Sequence, residues 1–206
     1  MGSAIVQLKK GEGRLLKSGG YWVFDNEIAS VTGSAADGEI VFVRDWDGYP
    51  MGCGFYNAKS KIRVRILSRD MGEEINGGFF RKRLQDSWDY RKKVIDTSSC
   101  RLVFGEADFL PGLVIDKYED ILVIQISSYG MEQHKQEVLD AMTCILAEDG
   151  IRVRGIYERS DGKYRAQEGL PVCKGFLSDA FDTKVPIQEN GVRYLVDVAE
   201  GQKTGF

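Results

Sequence analysis

The chain has 206 residues, 43% of them apolar and 29% charged, which allows one or two domains with true cores. No apolar run approaches the roughly 20 residues that span a bilayer, and no basic stretch followed by a long apolar one marks a secretion signal, so a cytoplasmic protein with reduced thiols is expected. Four scattered cysteines and one histidine, His134, form neither a C-x-x-C pair nor a zinc pattern, and no metal is expected.

The formal net charge of −3 is unevenly spread. Residues 1–93 hold 16 Lys and Arg against 12 Asp and Glu, a balance of +4, whereas residues 94–206 hold 12 against 19, a balance of −7. The asymmetry points to a first part that faces a polyanion. Unequal solvated surfaces give the same count.

In chain order, residues 4–8 read as a short strand leading into the basic turn Lys9-Lys10-Gly11-Glu12-Gly13-Arg14. The aromatic-dense stretch Gly19–Ile28 reads as a short helix. Gly38–Asp45 and Met51–Asn57 read as strands joined by the Asp47-Gly48 turn. Ile62–Leu67 alternates apolar and basic residues, so Arg63 and Arg65 share a face. Short strands with glycine-rich turns make a small β-barrel over residues 1–70. A helix from about Phe79 to Ile95 puts Phe80, Leu84 and Trp88 on one face and fills a linker over residues 71–97.

Residues 98–198 follow as strands, helix, strands. The strands are Arg101–Phe104, Leu113–Tyr118, Ile121–Ile126 and Ile156–Arg159, with a helix from Met131 to Glu148 and a loop over 160–175. Asn190-Gly191 closes a final hairpin. The fold class is α+β: a β-barrel and then an α+β domain.

Candidate chemistry is sparse. Glu106 and Asp108 could form an acid/base pair, though turn-forming roles are commoner before Pro111-Gly112. His134 reads as a surface residue, and Cys53 and Cys144 as small buried hydrophobes. Gly201-Gln202-Lys203-Thr204 fails the phosphate-loop pattern for want of an upstream glycine and a Gly-Lys pair. The stronger signal is for RNA, which needs aromatic platforms and a basic strip. Trp22 and Phe24 are assigned to the barrel core. The polar set assigned to RNA is Lys9, Lys10, Tyr21, Asn57, Lys59, Lys61, Arg63 and Arg65.

The stretches Gly19–Phe24, Gly38–Val41, Gly52–Asn57 and Ser60–Arg65 resemble a PUA domain, with Gly20-Tyr21 where that family often has Gly-His-Pro. Gly105–Tyr118, Tyr157–Asp161, Glu168-Gly169 and Gly201–Phe206 resemble the bacterial PUA-containing 23S rRNA cytosine-5 methyltransferases. The resemblance implies an RNA-recognition part of an S-adenosylmethionine-dependent enzyme, with ribosomal RNA as partner and a homodimer left open. In that family the last motif opens the catalytic domain, so residues 199–206 are expected to begin a cofactor-binding domain that lies beyond them. Gln202, Lys203 and Thr204 would help bind the cofactor, and no cysteine here matches the family's nucleophile. By itself the chain is expected to bind RNA without catalysis. The competing readings are a stand-alone RNA-binding or ribosome-assembly adaptor and a protein-interaction module.

Overall fold

The computed structural model describes residues 4–189 and 191–201. Strands β1 (Ile5–Leu8), β2 (Trp22–Phe24), β3 (Ile28–Thr32), β4 (Ile40–Arg44), β5 (Pro50–Tyr56) and β6 (Ile62–Ser68) form one sheet in the order β2-β6-β5-β4-β1-β3. The β1–β4 pair is parallel and the others are antiparallel. Strands β2 and β3 are the two edges, yet the turn Asp25–Glu27 alone separates them in sequence. Six flat strands would set those edges about 24 Å apart. The steps from Phe24 to Ile28 reach about 14 Å at most. The sheet must therefore curl into a half-barrel, and Val6, Leu8, Val23, Val41, Val64 and Ile66 fill its inside at 0–1% exposure.

The helix expected over Gly19–Ile28 is replaced by strand, turn and strand. The aromatic and β-branched run Trp22-Val23-Phe24 suits a pleated surface, and Val23 pairs with Val64 in the core. A short helix, α1 (Arg14–Lys17), forms just before it instead.

Helix α2 (Gly77–Val94) starts at Asn76, whose Oδ1 accepts from the Phe79 amide at 3.2 Å. Its Phe80, Leu84 and Trp88 face is 0–1% exposed. Strands β7 (Ser99–Phe104), β8 (Leu113–Tyr118), β9 (Ile121–Ile126), β10 (Gly155–Ser160) and β11 (Cys173–Phe176) form a second sheet in the order β11-β10-β9-β8-β7. Strands β9 and β10 pair in parallel, with α3 (Tyr129–Gln133) and α4 (Lys135–Glu148) in the crossover. The single helix expected over 131–148 is thus two, broken at His134. The expected loop over 160–175 holds α5 (Tyr164–Gln167) and the start of β11.

Residues from α2 and α4 pack on one face of this sheet. On the other, the hairpin of β12 (Lys184–Glu189) and β13 (Val192–Asp197) lays Val185 and Ile187 against Tyr118, Ile121 and Val123. Burial on both faces explains the uninterrupted apolar run Ile121-Leu122-Val123-Ile124. The chain is of the α+β class. No helix among the described residues is long and apolar enough to cross a membrane.

Candidate nucleic-acid interface

The two sheets meet along a polar seam centred on Glu168, which is 3% exposed. Its carboxylate accepts from Ser60 Oγ at 2.5 Å, Arg65 Nη2 at 2.9 Å and Asn57 Nδ2 at 3.0 Å. A fourth, longer bond of 3.4 Å comes from the Tyr129 amide. Arg65, on β6, is 8% exposed and lies 3.7 Å from Glu106 as well. A buried carboxylate meeting a buried guanidinium and two neutral donors offsets the cost of burying each alone, although Arg65 Nε keeps no hydrogen-bond partner.

An apolar contact continues the seam. Gly130 of α3 sits flat on the ring of Phe55 from β5, where an added Cβ would come within 2.1 Å of the ring. Phe55 stacks on Phe80 at 6.5 Å and on His134 at 5.5 Å. The expected surface histidine is therefore half-buried between the sheets, with Nδ1 2.8 Å from Glu137. Cys53 is buried as expected, whereas Cys144 is exposed on the outer face of α4.

Helix α5 positions Glu168 and is itself anchored by Arg165, 1% exposed. The Arg165 guanidinium donates to the carbonyls of Pro171 at 2.7 Å and Ile126 at 2.8 Å, and to Glu132 at 2.8 Å. Burial opposes the charge on Glu132, but hydrogen bonds from Arg165 and Lys135 outweigh it and hold this carboxyl below its ordinary range. Lys135 also reaches the buried Glu158 at 2.9 Å.

The loop after β7 is fastened on both sides. Glu106 accepts from Trp22 Nε1 at 2.7 Å, towards the half-barrel. Asp108 takes a two-pronged contact from Arg91 of α2, one prong at 2.7 Å, and accepts from the Phe104 amide at 2.6 Å. The two carboxylates thus point to different neighbours and serve as anchors, in line with the turn-forming reading. Phe109 in this loop holds φ at +60°, a costly backbone for an aromatic residue, with its ring 5.9 Å from Tyr21 and under the Arg83 guanidinium.

Between these anchors lies a cleft of about 550 Å³. Trp22, Phe24, Lys61, Phe104, Tyr164 and Gln167 line it, with Arg65, Glu106 and Glu168 also in its wall. Trp22 and Phe24 were expected in the barrel core. The alternation of β2 turns Val23 inward at 0% exposure and both aromatic rings outward to this cleft. Tyr164 is 73% exposed and Phe104 54%. Lys61 is exposed, and among the described residues no ion pair engages its side chain.

The residues expected to contact RNA fall into separate places. Asn57 and Arg65 are buried on Glu168. Arg63 donates to the carbonyls of Asn57 and Ala58, holding the β5–β6 loop. Lys59 is exposed beside Asp37 at 3.7 Å, and Lys61 stands at the cleft. Lys9 donates to the Asn26 carbonyl at 2.7 Å, and Lys10 lies over Trp46 at 4.9 Å. Tyr21 packs on Phe109 and under Arg69. Gln202, Lys203 and Thr204 lie outside the described residues. Sequence reasoning missed Glu168 as a hub and Phe104 and Tyr164 as cleft walls. Period-two reading of Trp22-Val23-Phe24 was the available signal.

Residues 6–69 match the PUA-like domain family. The chain is 37% identical over 99% of its length to ribosomal RNA large subunit methyltransferase I of Alteromonas mediterranea, and 38% identical over 99% to those of Pseudoalteromonas translucida and Vibrio parahaemolyticus. It covers 51% of each, so the chain spans about half the length of the curated relatives it matches. Two solved structures share its fold at a TM-score of 0.74 and 20% identity. One, from Streptococcus mutans, is a proposed SAM-dependent methyltransferase, of which this chain covers 49%; the other is a proposed methyltransferase in complex with SAH, also covered over 49%. The chain is thus similar, along nearly its whole length, to about half of the large-subunit ribosomal RNA methyltransferases I, and over residues 6–69 to the PUA-like domain.

Proposed function

We propose that these residues form the RNA-recognition part of an S-adenosylmethionine-dependent ribosomal RNA methyltransferase that makes 5-methylcytosine in 23S rRNA. The observation that carries the reading is the 37% identity, over 99% of the chain, to a large-subunit rRNA methyltransferase. The +4 balance of residues 1–93 and the aromatic-lined cleft are consistent with an RNA partner.

The proposal divides the chain at about residues 70 and 98, with a PUA-like half-barrel that grips RNA and an α+β unit that orients it. S-adenosylmethionine would supply the methyl group. Its ribose hydroxyls call for a free carboxylate, and both carboxylates of the cleft are engaged, Glu106 by Trp22 and Glu168 by Asn57, Ser60 and Arg65. The cleft does not fit the cofactor. The proposal therefore assigns methyl transfer to a region like the part of the relatives that this chain does not cover.

Filter binding of unmodified 23S rRNA tests the reading, run beside transfer of labelled methyl from S-adenosylmethionine. The expected result is RNA binding that weakens steeply as salt rises, with no label transferred by the 206 residues alone. Absence of binding at low salt would overturn the RNA role, and label in the RNA would overturn the division of labour.

A further inference from the structure

We infer that the cleft between the half-barrel and the second sheet seats one unpaired base of single-stranded RNA. This rests on the RNA-recognition reading above and adds to it which nucleotide state is bound and where.

The cleft volume of about 550 Å³ is in the range of small-ligand sites. Its walls are aromatic on both sides of the seam: Trp22 and Phe24 from β2, Phe104 from the end of β7, and Tyr164 from α5. Trp22 is oriented by its bond to Glu106, and its ring meets Phe24 edge-on at 6.2 Å. Phe104 and Tyr164 are large rings held in water at 54% and 73% exposure, although neither is needed to close a core. Aromatic walls suit a ring that stacks.

Charge selects the kind of ring. The cleft carboxylates Glu106 and Glu168 are matched by Arg65 and by neutral donors. Lys61 in the wall is exposed and has no ion-pair partner among the described residues. That unpaired cation at an aromatic slot complements a phosphate flanking a stacked base. Gln125 also lines the cleft, and its Oε1 is a buried acceptor without a hydrogen-bond partner, an unmet group for which a base edge supplies donors. A duplex hides its bases in the stack and cannot offer one to such a slot.

The test is fluorescence anisotropy of the whole chain with a labelled single-stranded 12-nucleotide RNA and with the same RNA annealed to its complement. Tyr164→Ala and Phe104→Ala remove exposed rings, so both variants should fold. Each should weaken single-strand binding about tenfold, the scale of one lost base stack. Tyr49→Ala, at a 65% exposed ring on the distant β4–β5 turn, should leave binding unchanged. Photo-crosslinking with 4-thiouridine RNA should mark the peptides carrying Trp22, Phe24 or Tyr164. Equal binding of duplex and single strand would overturn the inference. So would unchanged binding in both cleft variants when Lys61→Ala weakens it, and that pattern would leave the RNA reading standing. If no RNA binds the parent chain, the RNA reading falls and this inference with it.

Discussion

Replacing Glu168 with alanine should open the seam between the two sheets. The carboxylate is 3% exposed and answers Arg65 at 2.9 Å, Ser60 at 2.5 Å and Asn57 at 3.0 Å. Its removal leaves the Arg65 charge, itself 8% exposed, with Glu106 at 3.7 Å as the remaining carboxylate. Stranding one member of a buried ion pair costs about 3–5 kcal/mol. A chain of this size loses about 2–4 °C of Tm per kcal/mol, so the midpoint should fall by on the order of 10 °C. Differential scanning calorimetry measures it, and limited proteolysis should show faster cutting between β6 and α2. The variant Glu168→Leu with Arg65→Met removes both charges and should recover much of the loss, because apolar replacement of a whole buried pair is often close to neutral. A Glu168→Ala loss below about 1 kcal/mol, or a double variant no better than the sum of the single ones, would refute the seam as an electrostatic joint.

Four further outcomes follow from the same structure. Asn76→Ala removes the cap of α2 at the Phe79 amide and should cost about 1 kcal/mol in urea unfolding. Burial pushes the Cys100 thiol up to about 11 and the Tyr118 hydroxyl up to about 12. Both bind their protons more tightly when folded, so stability is retained below pH 9 and should decline as pH rises from about 9 through 12, read by chemical denaturation across that range. At pH 8 iodoacetamide should label exposed Cys144 well before Cys100 or Cys53, as mass spectrometry of timed samples would show. Lys61→Ala should lower RNA affinity and shrink the slope of log affinity against log salt by about 0.7, the value of one single-strand phosphate contact.

The elements with a clear period were legible from the sequence. The face Phe80, Leu84, Trp88 announced α2, and the apolar runs of β4, β5, β8 and β9 announced themselves between turn residues. In Gly19–Ile28 aromatic density suggests a helix, whereas the alternation of Trp22-Val23-Phe24 makes a strand. Trp22 and Phe24 stand on one face of β2 and Val23 on the other, and that alternation is what aims the two rings at the cleft. The seam was not legible. Asn57 and Glu168 are 111 residues apart, and nothing local to either says that a buried amide and a buried carboxylate will meet. The alternation places Arg63 and Arg65 on one strand face for RNA; the fold turns Arg65 into a joint and Arg63 into a loop clasp. His134 looked polar by its neighbours in sequence, yet its ring lies on Phe80 at 4.7 Å.

The proposed role is recognition of ribosomal RNA through the surface on which the two sheets meet. Its most direct test is the affinity of the 206-residue chain for short RNA tiles that together cover the unmodified large-subunit rRNA, measured at one fixed salt concentration. The account predicts that one tile with an unpaired segment binds at least about tenfold tighter than the rest, with Tyr164→Ala erasing that preference. Equal affinity for every tile and for a DNA duplex of the same length would contradict it, leaving charge without recognition.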